Sequence, residues 1–366
     1  MRKFNNLTFI DLFAGIGGFR KALEHYGAKC VFSSEIDENS CRTYKANYGE
    51  TPFGDITKIS NEQIPSHDIL CAGFPCQAFS ISGKQLGFED TRGTLLFEIA
   101  RIVDHHKPKI LFLENVKNLV RHNNNITFNH MHNILASLGY TIFYKILNAG
   151  DFGVPQNRER VYIVCFRNDL AINSFQFPEP VNKHIYLIDI LLPDNETNQY
   201  VIERNDIVIW DKVITECQPK PIRVGTINKG GQGERIYSPY GHAITLSAHG
   251  GGAGAKTGAY LINGRVRKLA PRECCLVQGF PNDFKIPVSD SQAYKQFGNS
   301  VAIPVLRAIL DSIVNLNEMR MYTISTKDKG FNENANNDRE PPKHVEMLKW
   351  KNNTSGQISI FDKLSL

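Results

Sequence analysis

The 366-residue chain contains no Cys-x-x-Cys pair, no apolar run long enough to cross a bilayer, and no large excess of charge of either sign. Its eight cysteines, at positions 30, 41, 71, 76, 165, 217, 274 and 275, follow no regular spacing. That argues against zinc and against a disulfide framework, so the expectation is reduced thiols and no metal. The absent span, together with an N-terminus (MRKFNNLTF) that lacks the apolar centre of a signal peptide, predicts a cytoplasmic protein with no membrane partner. A net charge of +5 is too small to demand a nucleic-acid partner, so the distribution of the charge has to decide. What remains, 42% hydrophobic and 22% charged residues over a length sufficient for two cores, is the composition of a soluble globular protein.

The first pattern is a strand over residues 8–13 that runs into AGIGG at 14–18, followed by a helix over 19–25. Glycines between a strand and a helix let backbone approach a ligand, and the helix N-terminus adds partial positive charge. The next strand ends at Glu35, twenty residues beyond Gly15, a place that suits a pair of ribose hydroxyls. Glycine-rich turns are common, but the turn plus the acid favours a nucleoside-containing cofactor. Asp55 and Ile56 precede a third strand and are placed to read an adenine edge.

That third strand, residues 68–71, is broken by Gly73-Phe74-Pro75 and delivers Cys76 to its carboxyl end, where open α/β sheets put their chemistry. Taken alone, a cysteine there is more often inert packing. The strand over 109–113 repeats the arrangement, with Glu114 at its end; two further strands, 142–147 and 161–166, bracket QNRER at 156–160. A polar stretch over 80–93 reads as a mobile loop beside Cys76. The βα alternation fades near Pro178. Residues 220–268 then hold eight Lys or Arg, one acid (Glu234) and eleven of the 28 glycines. Cationic, glycine-rich loops carrying Gln and Arg are suited to reading a DNA major groove.

The blocks DLFAGIGG (11–18), GFPCQ (73–77), ENV (114–116), QNRER (156–160), RKLAPRE (267–273) and QFGNSV (296–301) occur in an order that resembles the DNA cytosine-5 methyltransferase family, over about residues 7–316. The resemblance implies an α/β, Rossmann-like S-adenosylmethionine-dependent domain with a smaller, mostly irregular or β target-recognition domain. It divides the chain into a catalytic domain at 1–188, target recognition at 189–272, a hinge at 273–294, a return to the catalytic domain at 295–320 and a disordered tail at 321–366. S-adenosylmethionine, which leaves as S-adenosylhomocysteine, would meet Phe13, Gly15, Gly17, Glu35, Ile36, Asp55, Ile56, Pro75, Asn299, Ser300 and Val301. Ile36 departs from the large aromatic found there in a well-known member, which predicts weaker cofactor binding. Cys76 would be the nucleophile, Glu114 the acid at N3 of the base, and Arg160 the partner of O2, with Arg158 in support. The target cytosine would be flipped out of duplex DNA. Gln232 and Ser82 would fill the space it leaves, Arg235 would read a guanine, and Thr245 would touch the DNA backbone. The basic window is similar to that of a member that methylates GCGC, so a GCGC core is expected.

The resemblance also implies a monomer working beside a cognate restriction endonuclease. In the tail, Gln357, Ile358, Ser359, Ile360 and Phe361 resemble the short peptides that dock on a bacterial sliding clamp. Two rival readings fit less well. A nicotinamide oxidoreductase would want glycine where Arg20 stands, and a catalytically silent DNA-binding relative should lack a catalytic residue, whereas none is missing.

Overall fold

The computed structural model describes residues 4–74, 94–122, 125–181, 184–211 and 214–316. Pro75, Cys76, Ser82 and the tail segment from Gln357 to Phe361 lie outside the described residues.

Two sheets organise the described chain. The first is six-stranded in the order β2-β1-β3-β4-β6-β5. Its strands are β1 (Thr8–Leu12), β2 (Lys29–Ser34), β3 (Ile69–Ala72), β4 (Ile110–Val116), β5 (Tyr140–Asn148) and β6 (Glu159–Arg167). Strands β1 to β4 pair in parallel, and β6 runs antiparallel between β4 and β5. The apolar runs predict buried strands, and β3 is buried at all four positions. Three strands differ from their expected bounds: β5 and β6 run longer at both ends than 142–147 and 161–166, so Glu159 and Arg160 lie inside β6, and β4 runs past 113. β4 continues through Glu114 and Asn115 to Val116, because β6 supplies partners as far as Val116↔Arg160. The acid thus sits inside a hydrogen-bonded ladder rather than in a loop.

Helices cover both faces, as alternating βα units require. On one face, Ile10, Leu12, Leu70, Ala72, Leu111, Leu113, Ile163 and Cys165 form a core with Ile99, Ile102 and Val103 of α3 (Thr94–His106) and with Phe128, Met131 and Leu135 of α4 (Ile126–Ser137). On the other face, Phe19 of α1 (Gly18–His25) meets Phe112 of β4 edge-on at 5.2 Å, and α1 packs on α7 (Ile303–Asn315). Helix α2 (Glu38–Tyr48) starts at Asp37, whose carboxylate accepts from the Asn39 and Ser40 N–H groups, and stops at Gly49 with φ 79°. The apolar stretch Asp290–Asn315 is long enough to cross a membrane. It is two helices, α6 (Asp290–Asn299) and α7, parted at Ser300–Ala302 and largely buried in the protein.

The second sheet has the order β11-β10-β9-β8-β7. It uses β7 (Ile207–Ile209), β8 (Arg223–Ile227), β9 (Arg235–Tyr237), β10 (Ala259–Ile262) and β11 (Arg265–Arg267), around a small core of Ile222, Val224, Ile227, Ile236, Ala259 and Val266. Arg267, at the end of β11, forms a bidentate ion pair with Glu273 of α5 (Pro271–Val277): Nη1 donates to Oε2 at 2.8 Å and Nη2 to Oε1 at 2.7 Å. Both residues are buried, and Glu273 also accepts from the Ala270 and Leu192 N–H groups. The pair fixes where the second sheet hands the chain back to the first.

Replacing one partner of such a pair strands the other charge without water. Arg267→Met should therefore cost about 3–5 kcal/mol of stability, read as a lower midpoint in urea unfolding. A midpoint equal to that of the wild type would show that the pair fixes nothing.

Candidate active site

The turn after β1 spends its glycines in two ways. Gly15 takes φ 55°, and a Cβ there would meet nothing within 4 Å, so the turn has open space in front of it. Gly17 (φ 81°) and Gly18 are crowded instead: a Cβ at Gly17 would lie 2.8 Å from the Tyr48 hydroxyl, and one at Gly18 would lie 2.5 Å from a Val301 methyl and 3.3 Å from Ser300 Oγ. Only glycine lets α1 start against residues 300–301 of the returning chain. Phe13, just before the turn, holds a positive φ of 56°, a strained backbone for a bulky residue; it packs on the α3 side of the core.

Glu35 locks this turn to β2. Its Oε2 accepts from the Gly15 N–H at 2.8 Å, and its Oε1 accepts from the N–H groups of Ile36 (2.9 Å) and Asp37 (2.7 Å). Burial pushes its pKa up, while these three backbone donors pull it down. Three of its acceptor positions are filled, and one on Oε2 stays available to a hydroxyl. Beside it the Ile36 side chain is 74% exposed, an apolar surface offered outward. Ile56 is buried, and Asp55 caps the turn after it by accepting from the Thr57 N–H and hydroxyl. Ser300 Oγ is buried without a hydrogen-bond partner. The open turn, the spare acceptor, the apolar plate and the orphaned hydroxyl fit a group containing a ribose and a flat base.

The carboxyl ends of β3 and β4 converge next to that cradle. A Cβ on Gly73 would lie 3.9 Å from Glu114 Oε2, from the Phe19 ring and from Val301, so these groups surround one point. Asn115 donates its side-chain N–H to the Phe74 carbonyl at 3.1 Å. It thereby fixes the backbone two residues before Cys76. Glu114 is 8% exposed; its Oε1 lies 3.3 Å from Arg160 Nε. Burial raises the carboxyl pKa above its ordinary value, and Arg160, then Arg158, oppose the rise. A carboxyl that keeps its proton above the usual carboxylate range, with a guanidinium beside it, can act as a hydrogen-bond donor.

Arg158 does something else. Its guanidinium is buried, and it donates to the carbonyls of Leu246 (3.2 Å), Gly298 (3.2 and 3.3 Å) and Ser300 (2.5 Å). It joins the strand-end block 156–160, the loop at 243–248 and the cradle residues 298–301. Gln156 reinforces the joint by accepting from the Leu246 N–H and donating to the Val277 carbonyl. Thr245 belongs to the same joint, since its hydroxyl donates to the Asn157 carbonyl at 2.6 Å. Gly298 packs directly on the backbone of Ser247 and Ala248, where a Cβ has no room. Asn299 is exposed beside it.

Gln232 and Arg235 are carried by the second sheet, in the β8–β9 loop and at the start of β9, and both are exposed. Glu234 braces that loop by accepting from Asn228 Nδ2 and the Gly231 N–H, each at 3.0 Å. Gly233 lies against Gly251 and Gly252, backbone on backbone, and its carbonyl accepts from the Gly254 N–H at 2.8 Å. Two groups were not found from sequence: the three carbonyls under Arg158, and Tyr162, a residue with a buried hydroxyl that pairs with Glu114 in the β4–β6 ladder. The cross-strand register behind the second becomes visible only once β6 is known to run antiparallel.

The family model described as C-5 cytosine-specific DNA methylase matches residues 7–315. The type II methyltransferase M.HhaI of Haemophilus parahaemolyticus is 57% identical over 312 residues, covering 85% of this chain and 95% of that protein. The type II methyltransferase M.HpaII of Haemophilus parainfluenzae is 45% identical over 333 residues, covering 84% and 90% respectively. Among solved structures, the S. pombe Dnmt2 methyltransferase superposes with a TM-score of 0.66 over 84% of this chain and 98% of its own. At 18% identity that likeness speaks for the fold, a Rossmann-like one.

The electrostatics of Glu114 give a sign that can be checked. Arg160 favours the charged carboxylate, so Arg160→Leu should raise the Glu114 pKa further. In infrared difference spectra against Glu114→Gln, the protonated-carboxyl band should then persist to higher pH than in the parent. A band that disappears at lower pH in Arg160→Leu would reverse the assignment.

Proposed function

Because the chain belongs to the C-5 cytosine-specific DNA methylase family, we propose that it methylates C5 of a cytosine flipped out of duplex DNA, at the first cytosine of a GCGC core. The observation that carries this is the buried Glu114 carboxyl, its pKa raised, beside Arg160 and facing Gly73 at the strand end that leads to Cys76. Cytosine C5 is a weak nucleophile because the ring is aromatic. Addition of the Cys76 thiolate to C6 forms a C–S bond, breaks that aromaticity and makes C5 enamine-like. Glu114, protonated, donates to N3 as charge builds there, and Arg160 holds O2. After C5 has gained its methyl, loss of the C5 proton expels Cys76 as thiolate and restores the ring. A base inside a stacked helix is out of reach of such groups, which is why the reading includes flipping.

S-adenosylmethionine is the group that fits the cradle; when bound, it supplies an electrophilic methyl carbon. Glu35 would hold the ribose. Phe13, Ile36, Asp55 and Ile56 would hold the adenine, and Gly15, Gly17, Pro75, Asn299, Ser300 and Val301 would line the rest. Gln232 and Ser82 would fill the gap in the duplex, Arg235 would read a guanine, and Thr245 would contact the DNA backbone. The GCGC site rests on the likeness to M.HhaI, and the pairing with a restriction nuclease on the type II methyltransferases among the relatives. The division into a catalytic domain at 1–188 and a target-recognition domain at 189–272, joined through 273–294, belongs to this proposal, as does a monomeric enzyme.

A GCGC duplex with 5-fluorocytosine at its first cytosine should trap the protein covalently once methyl transfer has occurred, since no proton is left to leave C5. A scrambled site should not trap, and Cys76→Ser should trap nothing. Trapping by Cys76→Ser would remove the nucleophile assignment, and equal trapping on the scrambled duplex would remove the GCGC claim alone.

The tail segment from Gln357 to Phe361 adds a proposed contact with a replicative sliding clamp, which would deliver the enzyme to freshly copied DNA. Such a peptide relies on a few apolar anchors and a polar tether. Deleting residues 351–366 should abolish co-purification with the clamp and leave methylation of short duplexes unchanged. A tail peptide that fails to bind the clamp at high micromolar concentration would end this part of the reading.

A further inference from the structure

Glu114 and Tyr162 occupy directly opposed positions on antiparallel β4 and β6. Opposed residues in such a ladder share one face of the sheet, with their Cβ atoms about 4.5–5.5 Å apart. Tyr162 is fully buried, and its hydroxyl has no hydrogen-bond partner. Glu114 Oε1 is likewise buried and makes no hydrogen bond among the described residues, and it pairs with Arg160 Nε at 3.3 Å. Arg158 Nε is a third orphan in the same group. The charges acting on Tyr162 are those of Glu114, Arg158 and Arg160. No other ionisable group is set against Glu114 from the described elements around it: β3 opposes β4 with Ala72 and Cys71 at Leu113 and Phe112, and α1 and the returning chain offer Phe19 and Val301. Buried polar groups that lack a protein partner are commonly joined by an ordered water with two to four bonds.

We propose that Tyr162 is a positioning residue for the acid: through one buried water shared with Arg158 Nε, its hydroxyl supplies a donor to Glu114 Oε1. This inference rests on the reading of Glu114 as the group that protonates N3. An oxygen that receives a hydrogen bond from the water and faces the Arg160 cation at 3.3 Å is a poor place for the acid proton. The proton therefore resides on Oε2, the oxygen nearer Gly73 and the strand end leading to Cys76. The arrangement selects which oxygen carries the proton, and no other group is oxidised, reduced or transferred.

The sign of the pH effect follows. A donor to Oε1 stabilises the carboxylate, so removing it raises the Glu114 pKa. Turnover that needs the protonated acid falls as pH rises through that pKa, so Tyr162→Phe should move this falling limb to higher pH. On the plateau below it, kcat should drop up to about twofold, the most that spreading the proton over both oxygens can remove. KM for S-adenosylmethionine should be unchanged. Thermal stability should fall only slightly, by what one water-mediated hydrogen bond contributes, since the ring stays packed. The effect should vanish in a Glu114→Gln background, where no acid is left to position. An unchanged kcat and pH profile in Tyr162→Phe, beside a Glu114→Gln variant that has lost turnover, would overturn this proposal alone. So would a loss that persists undiminished in the double variant. Wild-type turnover by Glu114→Gln would instead overturn the acid reading, and this inference with it.

Discussion

One buried guanidinium holds the described structure together at its centre. Arg158 satisfies carbonyls of Leu246, Gly298 and Ser300, in two stretches that lie between 88 and 142 residues further along the chain. A buried arginine needs fixed acceptors, and each acceptor of the two Arg158 Nη groups is backbone. The backbone must then follow the side chain. The cradle residues 298–301, the loop carrying Thr245 and the strand that carries Arg160 are placed relative to one another by a single planar group. Burial and the neighbouring Arg160 charge pull the Arg158 pKa down, while Glu114 opposes them. In its ionised form the acid thus contributes to the environment that keeps its own scaffold charged.

Much of the first sheet was legible in the sequence because its signals are local. A glycine turn after an apolar strand, an acid twenty residues on, and reactive residues at two strand ends each lie within one short window. The register that places Glu114 inside β4 was not legible, since it depends on the direction of β6, a fact about residues almost fifty positions away. The pair Arg267 and Glu273 shows the same limit from another side. Its residues stand in a recognisable block, yet nothing local says that the two are buried together with Leu192 and Ala270 as further partners. The resemblance gave Arg158 only a supporting role beside Arg160. Its actual partners are carbonyls, which carry no mark in a sequence.

The cradle also shows why side-chain identity alone is an incomplete guide. Glu35 reads as a ligand for ribose, and most of its hydrogen-bonding capacity goes to the Gly15, Ile36 and Asp37 amides. Its first task is to shape the turn; recognition uses what is left. Gly17 and Gly18 read as part of a ligand loop, whereas their missing side chains make room for Tyr48 and Val301. Of that glycine cluster, Gly15 is the one with open space before it.

The glycines of the second sheet's loops have a consequence for how such a protein changes over time. Gly233 rests on Gly251 and Gly252 through main-chain atoms, and Glu234 ties the same loop to the Asn228 side chain and the Gly231 amide. The loop therefore keeps its shape without the outward side chains of Gln232 and Arg235, which are exposed and take no part in that contact. Those positions can be exchanged without repacking anything beneath them. A lineage carrying this scaffold is free to explore new side chains at the loop tip, one substitution at a time, with the fold held constant by atoms that every residue type shares.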